Sequence, residues 1–425
     1  MRSESPIPTS ADAPPAPPRA RLSRVLFAYY VGVVLVITLA PFRFAVPAEF
    51  TVHTEGSLFD TLANVLLFVP LGFLYPLTRS RGGPALAVQA AILGLLLSGA
   101  VETAQLFERE RYTSVLDLLA NGAGALGGAL LHGAVARRIR LSPGAVGRLS
   151  LELPLMGLVY LLVPLLWLGS LAAGPRLLRL APLFLLGLFG ARLLASLQRN
   201  RFGPSGILGV RGVAVSAGGW MALGLSPALV YHPWAVAALA AVVGLVAGQE
   251  ASRPDGDSPE RRFEARALRR AAPAFAGYLL ATVLAPLASA SGGWTAWVGF
   301  AGRAAALSTP EQLHLLESVA ALTVLGYLLA EARSRRELPY PALAPRLAAE
   351  CALAAAALEG VRGFHPAWGA SLAQLLVLVG AGLLGGWIFH LQRDLVRARV
   401  GGRSAARTES PPPAPRVPDP LLPSR

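Results

Sequence analysis

Residues 102–128 read ETAQLFERERYTSVLDLLANGAGALGG, inside a chain made mostly of leucine, alanine, glycine and valine. Two apolar runs meet here. The first ends in Glu102 and Gln105, and the second carries Asp117 and Asn121 in its opening turns. Asp117, Asn121, Gly124 and Gly128 follow at steps of four, three and four, so they share one helical face. Loops carry charges at little cost. Apolar helices do not, so the meaning of these side chains depends on where the helices lie.

The chain has 425 residues, 54% of them hydrophobic and 15% charged. Its mean hydropathy is +0.53, whereas a soluble chain has about a quarter of its residues charged. Apolar runs of about 16 to 25 residues recur throughout, and about 20 suffice to cross a bilayer. No strand-like alternation is present, which favours a helical bundle over a barrel. The expected fold is therefore all-α, a polytopic transmembrane helical bundle of about 12 spans (10 to 12). The spans fall at about 25–40, 58–77, 85–106, 114–136, 151–169, 177–197, 205–226, 233–249, 271–289, 313–330, 342–359 and 368–391.

The net charge of +14 comes from arginine, since the sequence has no lysine. The arginines fall in short clusters between apolar runs, a topology signal and a contact for anionic lipid rather than a nucleic-acid surface. Clusters follow the second, fourth, sixth, eighth, tenth and twelfth spans. Both termini then share the arginine side, which is the cytoplasm. The first apolar run lacks a small-residue cleavage site after Ala40 and is expected to remain as a span.

These features divide the chain. Residues 1–24 are a disordered, proline-rich amino terminus, 25–140 a four-helix unit, and 141–250 an apolar four-helix middle block. Residues 251–270 form a basic cytoplasmic linker, 271–395 a second four-helix unit, and 396–425 a disordered, proline-rich tail. Within the linker, Phe263 and Leu268 suit a short amphipathic helix facing lipid. The lone Cys351 excludes an intrachain disulfide and any cysteine-based metal motif. No HExxH, no phosphate-cradling loop and no clustered histidines occur, so no metal and no cofactor are expected. His232 in YHPW and His365 in FHPAW sit among aromatics, as in an interfacial belt.

The polar residues gather at one place. Asp60 and Asn64 open the second span, Glu102 and Gln105 close the third, and Asp117 and Asn121 open the fourth. With the amino terminus inside, all six lie at extracytoplasmic ends, joined by a short connection carrying Glu108, Arg109, Glu110, Arg111 and Tyr112. Each has a structural alternative. Asp60 and Asp117 suit first-turn carboxylates at helix amide ends. Ser114 suits a helix cap or a nucleophile. Asn64 and Asn121 suit interhelical hydrogen bonds as well as ligand contacts. Glu102 is a costly carboxylate at depth, to be paired with Arg111, to bind a polar group or to carry a proton. Pro70 kinks the second span with Gly72 beside it, and Gly124 and Gly128 admit a close neighbour.

A duplication is also suggested. VLVITLAPF resembles LLATVLAPL at 279–287, LLFVPLGFLY at 66–75 resembles AALTVLGYLL at 320–329, and GALGGALLH at 124–132 resembles GLLGGWIFH at 382–390. Anchored on the glycines, the second copy holds Leu375 and Val379 at the Asp117 and Asn121 places. Glu359 stands near the Glu102 place, with Arg362 at that of Gln105. On that alignment the second copy has lost the polar set and serves packing or a different ligand.

LANVLLFVPLGFLYP, then VETAQLF, the arginine of RYTSVLDLLAN and GALGG resemble the VanZ-like membrane family. The family pattern falls on Asn64, Phe68, Pro70, Gly72, Glu102, Gln105, Arg111, Asp117, Asn121, Gly124 and Gly128, within about residues 25–140. The resemblance implies a bacterial cytoplasmic (inner) membrane protein of the cell envelope, in a family linked to glycopeptide tolerance. Three functions remain open. The first is binding of an amphiphile or lipid-linked envelope precursor through Asp60, Asn64, Glu102, Gln105, Arg111, Asp117 and Asn121. The second is a membrane enzyme using Glu102 or Asp117 as general base. The third is a secondary transporter.

Overall fold

The computed structural model describes residues 18–39, 44–46, 52–53, 58–79, 85–108, 113–138, 161–202, 209–252, 261–284, 293–297, 309–333, 338–365 and 369–408. Twelve helices run through them. They are α1 (Pro18–Leu39), α2 (Leu58–Leu74), α3 (Ala85–Gln105), α4 (Val115–Arg138), α5 (Leu161–Ala173) and α6 (Leu180–Phe202). Then come α7 (Gly209–Gly224), α8 (Pro233–Ser252), α9 (Arg261–Leu284), α10 (Thr309–Arg333), α11 (Tyr340–Arg362) and α12 (Leu372–Thr408). Nine of these contain a segment long and apolar enough to cross a membrane, all except α5, α7 and α9. The exceptions have separate reasons. The described part of α5 is short, α7 has 16 residues, and α9 opens on Arg261, Arg262, Arg266, Arg269 and Arg270.

The basic linker is not a separate helix from the span after it. Helix α9 starts at Arg261 and continues to Leu284, and Leu268 packs against the central core rather than toward lipid. A leucine at that turn finds the helices of the middle block before it finds acyl chains.

Two short parallel strand pairs set the geometry of the bundle ends. β1 (Val52–His53) pairs with β2 (Thr113–Ser114), and β3 (Ala296–Trp297) pairs with β4 (Ala370–Ser371). β2 leads directly into α4 and β1 precedes α2, so parallel pairing starts both helices from the same end. Helices α2 and α4 then run side by side in one direction. Helices α10 and α12 do the same.

Small residues make that parallel packing close. A Cβ on Gly124 would strike the Val65 carbonyl and lie 3.1 Å from the Phe68 Cβ. One on Gly128 would lie 2.8 Å from the Phe73 amide and strike the Val69 carbonyl, and one on Gly72 would strike that of Ala125. Helix α2 continues through Pro70 and tightens into a 3-10 turn at Tyr75–Thr78. Tyr30 of α1 donates to the Leu67 carbonyl at 2.9 Å, so α1 is pinned to the same helix. The largest core draws on α1 and on α5 to α12, where Leu162, Leu165, Phe189, Met221 and Tyr278 are buried.

The carboxy-terminal contacts repeat those of the first unit. Gly385 meets the Thr323 carbonyl and the Tyr327 amide as Gly128 meets Val69 and Phe73. Phe73 lies edge-on to His132 with ring centres 5.4 Å apart, and Tyr327 lies edge-on to Phe389 at the same separation. These contacts move the glycine-anchored register by one residue. Gln374 and Leu378, not Leu375 and Val379, stand where α4 has Asp117 and Asn121. A run such as Gly385–Gly386 can slide by one position at little cost in sequence matching, whereas backbone contacts cannot.

Candidate polar site at the helix ends

Helix α4 starts because Ser114 caps it. The Ser114 Oγ accepts the Asp117 N–H at 3.4 Å, one of the donors that a helix start leaves unpaired. In the reciprocal form of this cap the helix's own third residue returns a carboxylate to the capping N–H. Here α3 supplies it: the Ser114 N–H donates to Glu102 Oε2 at 2.8 Å. Thr113 Oγ1 closes the same clasp on the Glu102 carbonyl at 3.1 Å. Glu102 is buried, 8% exposed, so leaving the Ser114 N–H without this acceptor would cost about 1–3 kcal/mol.

Asp117 turns to α2, where its carboxylate takes a hydrogen bond from the Asn64 side chain. Asp60, one turn earlier on α2 and exposed, lies within electrostatic reach of Asp117, and so does Glu102. Asp60, Asn64, Glu102 and Asp117 are thus brought together. Three carboxylates in one place repel, and a cationic or donor-rich group among them relieves that repulsion.

Asn121 lies one turn deeper. Its Nδ2 donates to Ser98 Oγ at 2.9 Å, while its Oδ1 is buried with no hydrogen-bond partner. Gln105 points elsewhere, donating from Nε2 to the Thr38 carbonyl at 2.8 Å and tying α3 to the last turn of α1. Arg111, with Arg109, Glu110 and Tyr112, lies outside the described residues.

Two further features stand at this end. Glu108 is only 4% exposed, bridges Phe44 in antiparallel fashion, and has no hydrogen-bond partner for either carboxylate oxygen among the described residues. An apolar groove of about 470 Å³ runs beside it, lined by Phe44, Ala45, Val46, Ala104 and Phe107. Which loop residues fold back over α3 depends on pairing that local patterns do not encode.

The carboxy-terminal unit repeats the clasp and changes its surroundings. Ser371 N–H donates to Glu359 Oε2 at 2.9 Å, and Ser371 Oγ accepts the Gln374 N–H at 3.3 Å. Arg362 Nη1 donates to Glu359 Oε1 at 2.7 Å, and its Nη2 donates to Ser318 Oγ at 2.6 Å. Tyr278 donates to Glu317 Oε1 at 2.9 Å, His314 Nδ1 meets Glu317 Oε2 at 3.1 Å, and Arg179 Nη1 meets His314 Nε2. This segment has therefore not lost its polar residues. The signal was present as His314 and Glu317 at helical spacing within an apolar run.

A bundle whose described residues include nine segments long and apolar enough to cross a membrane is that of a polytopic α-helical membrane protein. Residues 19–136 match the family model described as VanZ/LLP1, which covers α1 to α4 and every polar residue from Asp60 to Asn121. That match does not extend to residues 271–395. No curated protein and no solved structure matches the chain.

Proposed function

We propose that this VanZ-like membrane protein binds the polar head of an amphiphile, or of a lipid-linked envelope precursor, at the end of the bundle where α2 and α4 begin. The observation that carries the reading is the convergence of Asp60, Asp117 and Glu102 with Asn64 on one helix-end surface. Exposed Leu58, Leu62, Val115 and Leu119 surround it on the same two helices, so a ligand reaches it from the lipid boundary. The groove lined by Phe44, Ala45, Val46, Ala104 and Phe107 offers an apolar place for a chain close by. The head is donor-rich, hydroxylated or cationic, because carboxylates accept hydrogen bonds and favour positive charge. Arg111 contributes a planar fork for any phosphate or carboxylate in the same head.

The arginine pattern supports an extracytoplasmic location for this surface, with twelve spans, both termini in the cytoplasm and the bacterial inner membrane as the host. The repeated clasp supports an origin of residues 271–395 as a second, altered copy of 25–140. Catalysis by Glu102 is the weaker reading, since Glu102 Oε2 is committed to the Ser114 amide. Transport is weaker for the amino-terminal unit, because its polar residues gather at helix ends rather than midway.

The deciding experiment is binding of labelled hydroxylated or amine-bearing lipids to the full chain in nanodiscs. Asp117→Asn and Arg111→Ala should each weaken binding at least about tenfold, a loss of 1.4 kcal/mol, with normal accumulation. Unchanged affinity in both would remove the site. Turnover of labelled polyprenyl or phospholipid headgroups that disappears in Glu102→Gln would replace binding by catalysis.

A further inference from the structure

The carboxy-terminal unit presents basic groups where the first unit is acidic or neutral. From the matched α2–α4 and α10–α12 contacts, His314 stands at the Asp60 place and Ser318 at that of Asn64. The matched clasps place Arg362 at the Gln105 position. Arg362 donates to Glu359 and Ser318, while His314 sits in a chain whose hydrogen positions are fixed by chemistry. A guanidinium has donors only. The His314 Nε2 facing Arg179 Nη1 must therefore be the acceptor, which leaves the imidazole proton on Nδ1 to donate to Glu317 Oε2. Glu317 Oε1 already accepts from Tyr278, and Gly169 of α5 lies against the same carboxylate.

We propose that this chain is a proton-binding site, separate from the amino-terminal polar surface, in which His314 takes a proton on Nε2 and expels the Arg179 guanidinium. The step is one proton from solvent onto the imidazole lone pair, which breaks the Arg179–His314 hydrogen bond and makes or breaks no other covalent bond. Nε2 then becomes a second donor facing donors, and two cations face each other. The imidazolium keeps its Nδ1 bond to the Glu317 carboxylate, so Arg179 is the partner that leaves. It is placed to do so. Arg179 closes the turn between α5 and α6, its other hydrogen bond is a 3.4 Å contact to the Ala172 carbonyl, and Arg176, Leu177 and Leu178 before it are exposed.

Among the described residues, the charged and titratable groups around His314 include Glu311 and Glu317 on its own helix, Arg179 and Arg176 before α6, and His365 after α11. Tyr278 of α9 reaches it through Glu317, and Arg362 with Glu359 of α11 through Ser318, whose hydroxyl donates to the His314 carbonyl. Among these, Glu317 holds two donors and Glu359 accepts from Arg362 and the Ser371 amide. His314 and His365 are the two imidazoles of the cluster, and the test separates them.

The full chain carrying Leu178→Cys in a Cys351→Ala background, labelled with an environment-sensitive dye in nanodiscs, is titrated from pH 8 to pH 5. The expected emission change fits a single proton, is lost in His314→Gln and in Arg179→Gln, and persists in His365→Gln. A flat titration with His314 present overturns the proposal, as does a response that survives His314→Gln. If His314→Gln does not accumulate, Arg179→Gln decides, since it removes only the expelled group; a persisting response there overturns the proposal too. Lipid binding at the Asp117 surface is measured on the same samples, so its loss is distinguishable from loss of the proton response.

Discussion

Glu102 shows how one buried carboxylate holds two helices. It replaces the cap partner that α4 does not supply for itself, so its removal leaves the buried Ser114 N–H without an acceptor. Glu102→Ala should therefore destabilise the protein by about 1–3 kcal/mol, and Glu359→Ala should act similarly through Ser371. Both would be read as lowered unfolding midpoints in detergent. Asn121 behaves differently. Its Oδ1 is already unpaired, and Leu378 occupies the matching place in α12 without a polar partner. Asn121→Leu should change stability by less than about 1 kcal/mol, since replacing an imperfectly paired buried amide is nearly neutral. A large loss of stability would show that the Ser98 bond is a main support of the α3–α4 contact. His365 supplies a pH signature. Burial pushes its imidazole below the ordinary histidine value, Glu311 opposes this, and Arg179 and His314 reinforce it. The folded state thus favours neutral His365, so its contribution is present above about pH 6.5 and is lost as pH falls through the lower folded value. His365→Gln should flatten that acid limb of the unfolding midpoint.

At the scale of helices, parallel packing of α2 on α4 depends on backbone approaching backbone. Gly128→Ala places a methyl against the Val69 carbonyl and the Phe73 amide, atoms that cannot rotate away. A loss of roughly 1–3 kcal/mol is expected. Its neighbour Gly127 faces open space, and Gly127→Ala should instead stabilise α4 by roughly 0.5–1 kcal/mol. Equal effects of the two substitutions on the unfolding midpoint would contradict the close approach. The helices themselves were legible, because apolar runs bounded by arginine leave few alternatives, and each expected span overlaps one helix. So was the shared face of Asp117 and Asn121. The Glu102–Ser114 clasp was not, since its partner is a main-chain N–H that the side-chain sequence does not announce. Two-residue strands such as β1 and β2 carry no periodicity at all. The one-residue shift between the glycine-matched register and the contacts of α10 with α12 has the same root: glycines match glycines in several registers, and only their contacts choose.

For the whole molecule the open quantity is the number of crossings, and it decides which polar ends share a compartment. Among the described residues, nine helices contain segments long and apolar enough to span, while α7 packs along α8 and α9 along α6. If α5, α7 and α9 also cross, there are twelve spans, and Arg79, Arg333 and Arg393 all fall on one side, as the bias for cytoplasmic arginine requires. If only nine cross, the connection holding Arg333 moves to the outside and the two units lie in opposite orientations. The two counts give opposite results at two exposed positions. With twelve spans and an internal amino terminus, Leu178 before α6 is outside and Leu338 before α11 is inside; with nine, the two exchange sides. Val46, after α1, is outside in both. Because Cys351 is the sole cysteine, Cys351→Ala yields a clean background for single cysteines at these three places. An impermeant maleimide applied to intact cells should label Val46→Cys and Leu178→Cys, and reach Leu338→Cys only after permeabilisation. Labelling of Leu338→Cys in intact cells would reduce the span count and place the Glu359 clasp on the opposite side of the membrane from Glu102.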